Sequence, residues 1–209
     1  MKAAQVKLTD GPIDLDEFAR LKALYGPLAE SVRELVDATI RTEVDDEVIR
    51  EVHAEIEAAT AKLRARQLDG SFGMRTTVTG ETFSWGNASV GLRNAVAPPL
   101  VIESDGAGRY WTQVTLGAAY EGPPGLVHGG VCALVLDHLL GVTGSADARR
   151  LTGTLTLRYR RGTPLGPLHA EARVASVDGR KATVRGTLSD AEGVTVEAEG
   201  IFVAPAASV

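Results

Sequence analysis

One short segment constrains the fold more than any other, because it is apolar on every side. Between Gly129 and Gly141 almost every residue is apolar, and the apolar set is Val131, Cys132, Ala133, Leu134, Val135, Leu136, Leu139 and Leu140. A helix without a polar face is stable only when the rest of the fold encloses it. The sequence therefore predicts a buried helix over residues 129–141.

Short runs rich in β-branched and aromatic residues lie on both sides of this helix and predict strands. They cover residues 76–85, 100–103, 109–116, 152–160, 168–177, 181–189 and 195–203. Asp178-Gly179 and Glu192-Gly193 separate the last three runs, which is typical of consecutive antiparallel hairpins, a meander. One enclosed helix with an antiparallel sheet of at least five strands predicts an α+β fold in which the sheet wraps the helix.

The first third of the chain has a different pattern, because apolar residues recur at helical spacing over residues 14–67. Gly26-Pro27 is expected to end a first helix, and the acidic stretch 43–47 to open a third. Each helix has one apolar stripe, which favours packing on a larger body or a partner subunit. We expect a helical extension over residues 1–70 and a second domain over residues 71–209.

Charge and cysteine content exclude several classes of function. The formal net charge is -5 and the isoelectric point about 5.4, so nucleic acid is not an expected partner. Cys132 is the single cysteine, which excludes a disulfide framework and multi-cysteine metal sites and suits a cytoplasmic protein. Residues 1–10 show neither a signal peptide nor an apolar stretch of about 20 residues, so no membrane association is expected.

The residues with chemical potential lie at the start of the predicted helix. The run GPPGLVHGG, residues 122–130, leads into the helix through a tight loop. Gly129 and Gly130 allow a ligand to approach unpaired backbone N–H groups, which together with the helix dipole would stabilise a developing oxyanion. Asp137 follows His128 by nine positions, in surroundings where a carboxylate needs hydrogen-bond partners or a cavity.

Other catalytic signatures are absent from the sequence. It has no Gly-x-Ser-x-Gly nucleophile elbow, no Walker phosphate loop and no Gly-x-Gly-x-x-Gly fingerprint. A metal site built from His128, Cys132, Asp137 and His138 is not expected, because the last two residues point about 100° apart around a helix. His138 is therefore interpreted as structural or interfacial, and Cys132 as a small core residue.

Several motifs resemble those of the hotdog-fold acyl-CoA thioesterases of the phenylacetate-pathway and mammalian thioesterase-superfamily type. The resemblance rests on YEGPPGLVHGG at residues 120–130, on Asp137, and on the strand from Thr152 to Arg160, and it covers roughly residues 75–203. It implies a hotdog fold, an acyl-CoA substrate and a homodimer or homotetramer. It implies no metal or other cofactor, since coenzyme A is part of the substrate.

The resemblance also implies roles for individual residues. The Gly129 N–H would polarise the thioester carbonyl, and the His128 side chain would hold the loop in shape. Asp137 would act as general base or as nucleophile, and Thr152 would help to position the attacking water. For the coenzyme A moiety we expect Gly130 and a group of arginines to make contacts. The arginines are Arg158, Arg160 and Arg161.

Two other functions remain open at this point. The first is a non-catalytic acyl-CoA-binding or sensing protein, in which the helical extension transmits or docks. The second is a hotdog dehydratase or hydratase, although such sites generally pair a catalytic histidine with a carboxylate in a different motif.

Overall fold

A computed structural model describes residues 11–98 and 100–206. The chain divides into two compact units, residues 11–87 with 91–95 and residues 88–90 with 96–206. This division falls later in the sequence than the predicted boundary between residues 70 and 71. The expectation that residues 1–10 contain no signal peptide concerns a segment outside the described residues.

Two long helices form most of the first unit. They are α1 (Leu15–Arg41) and α2 (Asp46–Arg64). The side chain of Asp14 accepts a hydrogen bond from the Asp16 N–H (2.8 Å) and caps α1. Asp45 caps α2 in the same way through the Val48 N–H (3.2 Å). Both caps fit the preference of helix N-termini for carboxylates, which satisfy free N–H groups and oppose the positive end of the helix dipole.

The prediction that Gly26-Pro27 ends a helix is wrong, because α1 continues through Pro27. Proline removes one helical hydrogen bond and its ring crowds the preceding turn. Gly26 lowers part of that cost because it has no Cβ to meet the ring. Residues on both sides of the proline also pack inward, with Phe18 against Phe83 (ring centroids 4.9 Å apart) and Ala29 buried. Tertiary packing therefore outweighs the local penalty.

An aromatic cluster holds the first unit together. Its rings belong to Phe18, Phe72, Phe83 and Trp85, with centroids of contacting pairs 4.9–6.4 Å apart. Here the predicted strand 76–85 is wrong in detail: it is a hairpin of two short strands, β1 (Arg75–Thr76) and β2 (Thr82–Phe83). Gly80, at φ 87°, turns the chain between them because glycine adopts this backbone region without strain.

The second unit contains a six-stranded antiparallel sheet and one helix. The strands are β3 (Glu103–Ser104), β4 (Arg109–Leu116), β5 (Leu151–Tyr159), β6 (Gly166–Asp178), β7 (Lys181–Asp190) and β8 (Gly193–Val203), and the helix is α3 (Gly129–Gly144). The order across the sheet is β3-β4-β6-β7-β8-β5. The predicted meander is confirmed as β6-β7-β8, with Gly179 (φ 54°) and Gly193 (φ 120°) at its two turns.

The first strand of this sheet starts later than residues 100–103 predict. Leu100 donates its N–H to the Pro98 carbonyl (2.7 Å) in a turn, and its side chain is buried in the core. Within residues 100–104, only Glu103 and Ser104 pair with β4. Leu100 and Ile102 of this run are thus used for packing rather than for strand pairing, whereas Val101 is exposed.

One face of α3 forms the core with the inner face of the sheet. Cys132, Val135, Leu136, Leu139 and Leu140 on this face are each at most 1% exposed. This arrangement is the α+β hotdog fold that the resemblance implies. The expectation that the helix is fully enclosed is wrong for a single chain, because residues on its opposite face are only half-buried. They include Leu134, Asp137 and His138.

Phe202 fixes the closest approach between α3 and the sheet. Its ring is fully buried next to glycines of both elements. A Cβ atom built on Gly144 of the helix would lie 3.2 Å from the ring, and one built on Gly200 of β8 would lie 2.4 Å from it. The glycines therefore create the space that the ring fills.

No helix among the described residues is both long and apolar enough to cross a membrane.

This packing predicts a large effect of Phe202→Ala on stability. Removing the ring leaves a cavity between α3 and β8, so the free energy of unfolding should fall by about 3–5 kcal/mol in chemical denaturation. Val194→Ala is the control, because Val194 is 41% exposed on the same strand and should change stability by less than about 0.5 kcal/mol. A loss below about 1 kcal/mol for Phe202→Ala would show that the site collapses around the missing ring.

Candidate functional site

A tight loop delivers the chain into α3. Within it, the Gly122 N–H donates to the Leu126 carbonyl (2.8 Å) and the Gly125 N–H to the Glu121 side chain (2.7 Å). The Val127 N–H donates to the Thr163 carbonyl (2.8 Å), which ties the loop to the segment after β5. These bonds satisfy the loop's donors internally, so the first residue of the helix has a fixed position.

The first turn of α3 offers an unpaired donor. The His128 side chain caps the helix by accepting the Gly130 N–H at Nδ1 (3.0 Å). Within the described part of the chain, the Gly129 N–H donates to no acceptor, whereas the N–H groups of Val131 and Cys132 donate to the His128 carbonyl. A helix N-terminus with a free N–H is suited to bind a partial negative charge. Gly129, rather than Gly130, therefore presents the available donor.

Tyr159 contacts the same turn, a contact that the sequence reasoning did not identify. Its hydroxyl donates to the Gly129 carbonyl (2.8 Å), and a Cβ atom on Gly129 would lie about 3.4–3.5 Å from the phenol. Burial raises the pKa of Tyr159, so the hydroxyl is protonated and able to donate. Strand alternation could have revealed the contact, because Leu155 and Leu157 pack on the core and Tyr159 follows at the same period of two.

The structure brings Asp137 and Thr152 together. The Thr152 hydroxyl on β5 donates to Oδ1 of Asp137 on α3 at 3.0 Å. Asp137 is half-buried and Thr152 is exposed, so the carboxylate is oriented while remaining accessible. An oriented carboxylate with a free oxygen can accept a proton from water or attack an electrophilic carbon.

Asp137 and Gly129 of one chain lie too far apart to act on the same small group. Eight residues of α-helix separate their Cα atoms by about 12 Å. In the reaction, the carbonyl oxygen must lie about 3 Å from the hydrogen-bond donor, and the carbonyl carbon must lie about 3 Å from the attacking oxygen. A single helix therefore presents the donor and the carboxylate as two separate half-sites.

Two of the three arginines predicted to contact coenzyme A are engaged in ion pairs. Arg160 pairs with Glu197 (2.7 Å), and Arg161 pairs with Asp190 and also donates to the Gly193 carbonyl (3.1 Å). Hydrogen bonding from Arg161 lowers the pKa of Asp190 to about 2. These pairs would have to open before the two arginines could bind a phosphate.

Arg158 lies on the outer face of the sheet. Leu155, Leu157 and Tyr159 alternate along β5 and face α3. Arg158 lies between the last two in sequence, so its side chain points to the other face. Arg158 helps to line a hollow on the outer face that contains neither Asp137 nor Gly129. Its side chain and the helix N-terminus are thus on opposite faces of the sheet within one chain.

The remaining titratable residues of α3 support structural interpretations. Burial raises the pKa of the Cys132 thiol, which is 1% exposed in the core. Burial lowers the pKa of His138, and the neighbouring Asp137 charge opposes that shift in part. Across residues 11–98 and 100–206, no three His, Cys, Asp or Glu side chains are grouped so that they could hold a metal ion.

Comparison with known proteins places this geometry in a family. A model of the thioesterase superfamily matches residues 124–197, which include most of the loop, α3 and β5. No curated protein sequence gives a significant match. Two solved structures match about half of this chain. One is a phenylacetic acid degradation-related protein of Ralstonia eutropha JMP134 (24% identity, 50% of this chain, 83% of that chain, TM-score 0.47). The other is zebrafish thioesterase superfamily member 2 (13% identity, 51% of this chain, 81% of that chain, TM-score 0.46).

A third structure matches much more of the chain. It is the crystal structure of RHA08564, a thioesterase superfamily protein, with a TM-score of 0.76 and 37% sequence identity. The match covers 86% of this chain and 90% of that chain, so it reaches well into the first unit. With this identity over nearly the whole relative, the chain belongs to the thioesterase superfamily.

Proposed function

We propose that this protein hydrolyses acyl-CoA thioesters to a carboxylic acid and free coenzyme A. Membership of the thioesterase superfamily supports thioester hydrolase activity in general. The observation that carries the specific proposal is the hydrogen bond from Thr152 to Asp137, which orients a carboxylate on a helix whose first N–H is unpaired. Hydrolysis of a thioester requires both features: a group that activates water or itself attacks the carbonyl carbon, and a hydrogen-bond donor for the carbonyl oxygen.

In the proposed reaction the Gly129 N–H donates a hydrogen bond to the thioester oxygen. Asp137 takes a proton from water as the water oxygen bonds to the carbonyl carbon, and the oxygen becomes an oxyanion. When the C–S bond breaks, the proton on Asp137 passes to the departing sulfur. Water is the only co-reactant, so the proposal requires no metal or redox cofactor.

Asp137 could instead attack the carbonyl carbon directly. That route forms a mixed anhydride and releases the thiol, and water then cleaves the anhydride. Both routes need the carboxylate next to the carbonyl carbon. Incorporation of ¹⁸O from labelled water into Asp137 during turnover would select the nucleophilic route with attack of water on the Asp137 carbon. Because water can also cleave the anhydride at the acyl carbon, the general base is selected only if, in addition, hydroxylamine traps no acyl-enzyme.

A complete site of this kind combines two copies of the chain. About 12 Å of helix separates Gly129 from Asp137, so we propose that Gly129 of one subunit faces Asp137 of the partner subunit. Two features support a homodimer at least. The strand β5 lies at the edge of the sheet, and Leu134, an apolar residue beside Asp137 on the outward side of α3, is only half-buried. The same dimer would also cover Asp137 and exclude bulk water.

Coenzyme A, rather than an acyl carrier protein, is the proposed thiol carrier. Arg158, Arg160 and Arg161 remain the proposed contacts of its phosphates, with Gly130 next to the thioester. Because Arg160 and Arg161 are paired with carboxylates, phosphate binding by them would involve an exchange of partners. Within a dimer, these arginines and the helix N-terminus need not come from the same subunit.

The proposal predicts that Asp137→Asn and Asp137→Ala both abolish thiol release. Loss of the base or nucleophile should lower kcat by about 10²–10⁴-fold with the fold intact. Thr152→Val, which removes only the orienting hydroxyl, should lower kcat less, by about tenfold, and Thr152→Ser should restore it. The assay measures free thiol from short, medium, long and aromatic acyl-CoA esters.

The matched control for these variants is Glu103→Gln, which neutralises an exposed carboxylate on edge strand β3 of the same sheet. It should leave turnover unchanged. If the folded wild type binds acyl-CoA but releases no thiol from any ester, the catalytic proposal is wrong and the sensing function applies instead. If Asp137→Asn retains full activity, a different residue performs the chemistry.

Tyr159→Phe tests whether the phenol positions the oxyanion donor. The ring should still pack on Gly129 while the hydrogen bond to its carbonyl is lost. We expect kcat to fall about tenfold with KM nearly unchanged, because the Gly129 N–H acts most strongly on the developing oxyanion. Tyr110→Phe on β4 is the control. A parallel rise in KM, or an equal loss in the control, would contradict the positioning role.

A further inference from the structure

The helix α2 is a long amphipathic element whose apolar side is not buried by the described residues of the first unit. None of its 19 residues is buried. Its hydrogen bonds and ion pairs, as far as the described residues show, stay within the helix and its caps. Helices of globular proteins gain most of their stability from packing an apolar face. The exposed face of α2 is therefore a surface that a partner should cover.

The apolar residues of α2 follow a coiled-coil spacing. Alternate steps of three and four residues connect Ile49, Val52, Ile56, Ala59 and Leu63. Ile49 is 45% and Leu63 is 55% exposed, so the stripe is open at both ends of the helix, and Ile56 between them is half-buried. A stripe with this period packs against a second helix by inserting knobs into holes. It predicts a helical partner rather than a flat surface.

The charges of α2 argue against a lipid bilayer as the partner. The helix carries five acidic and three basic side chains and is net acidic. Helices that lie on membranes are rich in Lys and Arg on their polar face, because they are attracted to anionic lipids. An acidic helix would be repelled from such a surface. A protein helix of complementary charge is the better match.

A second copy of α2 supplies that complementarity. In an antiparallel pair, Ile56 of one copy can lie opposite Ala59 of the other, and Val52 opposite Leu63, so that large residues face smaller ones. The same register places Glu55 opposite Lys62, twice by symmetry. A parallel pair in register would place Glu55 opposite Thr60 and Lys62 opposite Gln67, which form no ion pairs. The charges thus select the antiparallel arrangement.

We propose that α2 pairs with α2 of a second copy of this chain in a short antiparallel coiled coil. The two Glu55–Lys62 pairs lie on one side of the seam and set its register. The pair buries residues 52, 56, 59 and 63 of the stripe, whereas Ile49 would lie opposite residue 66, beyond the end of α2. This contact is separate from the proposed pairing at β5 and α3, and it joins copies of the chain through the first unit.

Disulfide cross-linking of the full-length protein tests this geometry. In the double variant Glu55→Cys/Lys62→Cys, oxidation should give a covalent dimer in most of the protein. Either single variant should give at least tenfold less covalent dimer, because its one new thiol faces a residue without sulfur in the second copy. Residues 55 and 62 of one helix lie about 10 Å apart and cannot bridge within a chain. Cys132 is buried and serves as an unreactive background.

Matched substitutions test the seam itself. Adding Ile56→Asp to the double cysteine variant should abolish the covalent dimer, whereas Ala54→Asp on the opposite side of the helix should leave it unchanged. Thiol release from acyl-CoA, measured in parallel, shows whether the second unit stays folded. Equal cross-linking in the single variants, or none in the double variant of a folded protein, would overturn the proposal.

Charge reversal gives an independent measurement in the absence of new cysteines. Glu55→Lys and Lys62→Glu should each weaken self-association in sedimentation experiments by several-fold, because each places like charges opposite one another. The double reversal Glu55→Lys/Lys62→Glu should restore the wild-type association. Failure of the double reversal to restore it would overturn the assigned register, and unchanged association in all three variants would overturn the coiled coil.

Discussion

The packing of Phe202 between α3 and the sheet determines which side of the helix is buried, and therefore where Asp137 lies. Its ring occupies the space left by Gly144 and Gly200, so the helix can approach the sheet closely along β8. The apolar side of α3 is buried on this contact, and the opposite side is left for other partners. Because Asp137 belongs to that other side, the same packing that stabilises the domain keeps the carboxylate accessible.

The two ends of the candidate site obtain their geometry from different sources. The helix N-terminus is shaped by backbone hydrogen bonds within the loop and by the His128 cap, so its donor is placed by local structure. Asp137 is oriented by Thr152, which comes from a strand and is therefore placed by tertiary structure. Tyr159 connects the two, because it lies on the same strand as Thr152 and holds the Gly129 carbonyl.

Most of the second unit could be predicted from its sequence, because hydrophobic period and turn residues agree there. The three strands of the meander and the start of α3 at Gly129 follow directly from these patterns. The helix through Gly26-Pro27 and the hairpin at residues 75–83 could not be predicted, because an aromatic cluster formed by distant residues decides both. Local propensity is a weak guide wherever tertiary contacts compensate for it.

The candidate site shows a similar limit. Gly129, Asp137 and Thr152 could be identified from spacing and from the family resemblance, and the structure brings the last two into contact. The ion pairs of Arg160 and Arg161 could not be predicted, because Glu197 and Asp190 are far from them in sequence and meet them only across the sheet. The same is true of the choice between the Gly129 and Gly130 donors, which depends on the ring orientation of His128.

The separation of Gly129 and Asp137 along one helix also has a genetic meaning. If each site takes its donor from one copy and its carboxylate from the other, two inactive alleles with lesions at opposite ends of α3 can complement each other. A mixed dimer of such alleles contains one site with both lesions and one site with neither. An allele that has lost only the carboxylate would, in turn, impair half of the sites in every mixed dimer that it forms with the wild type.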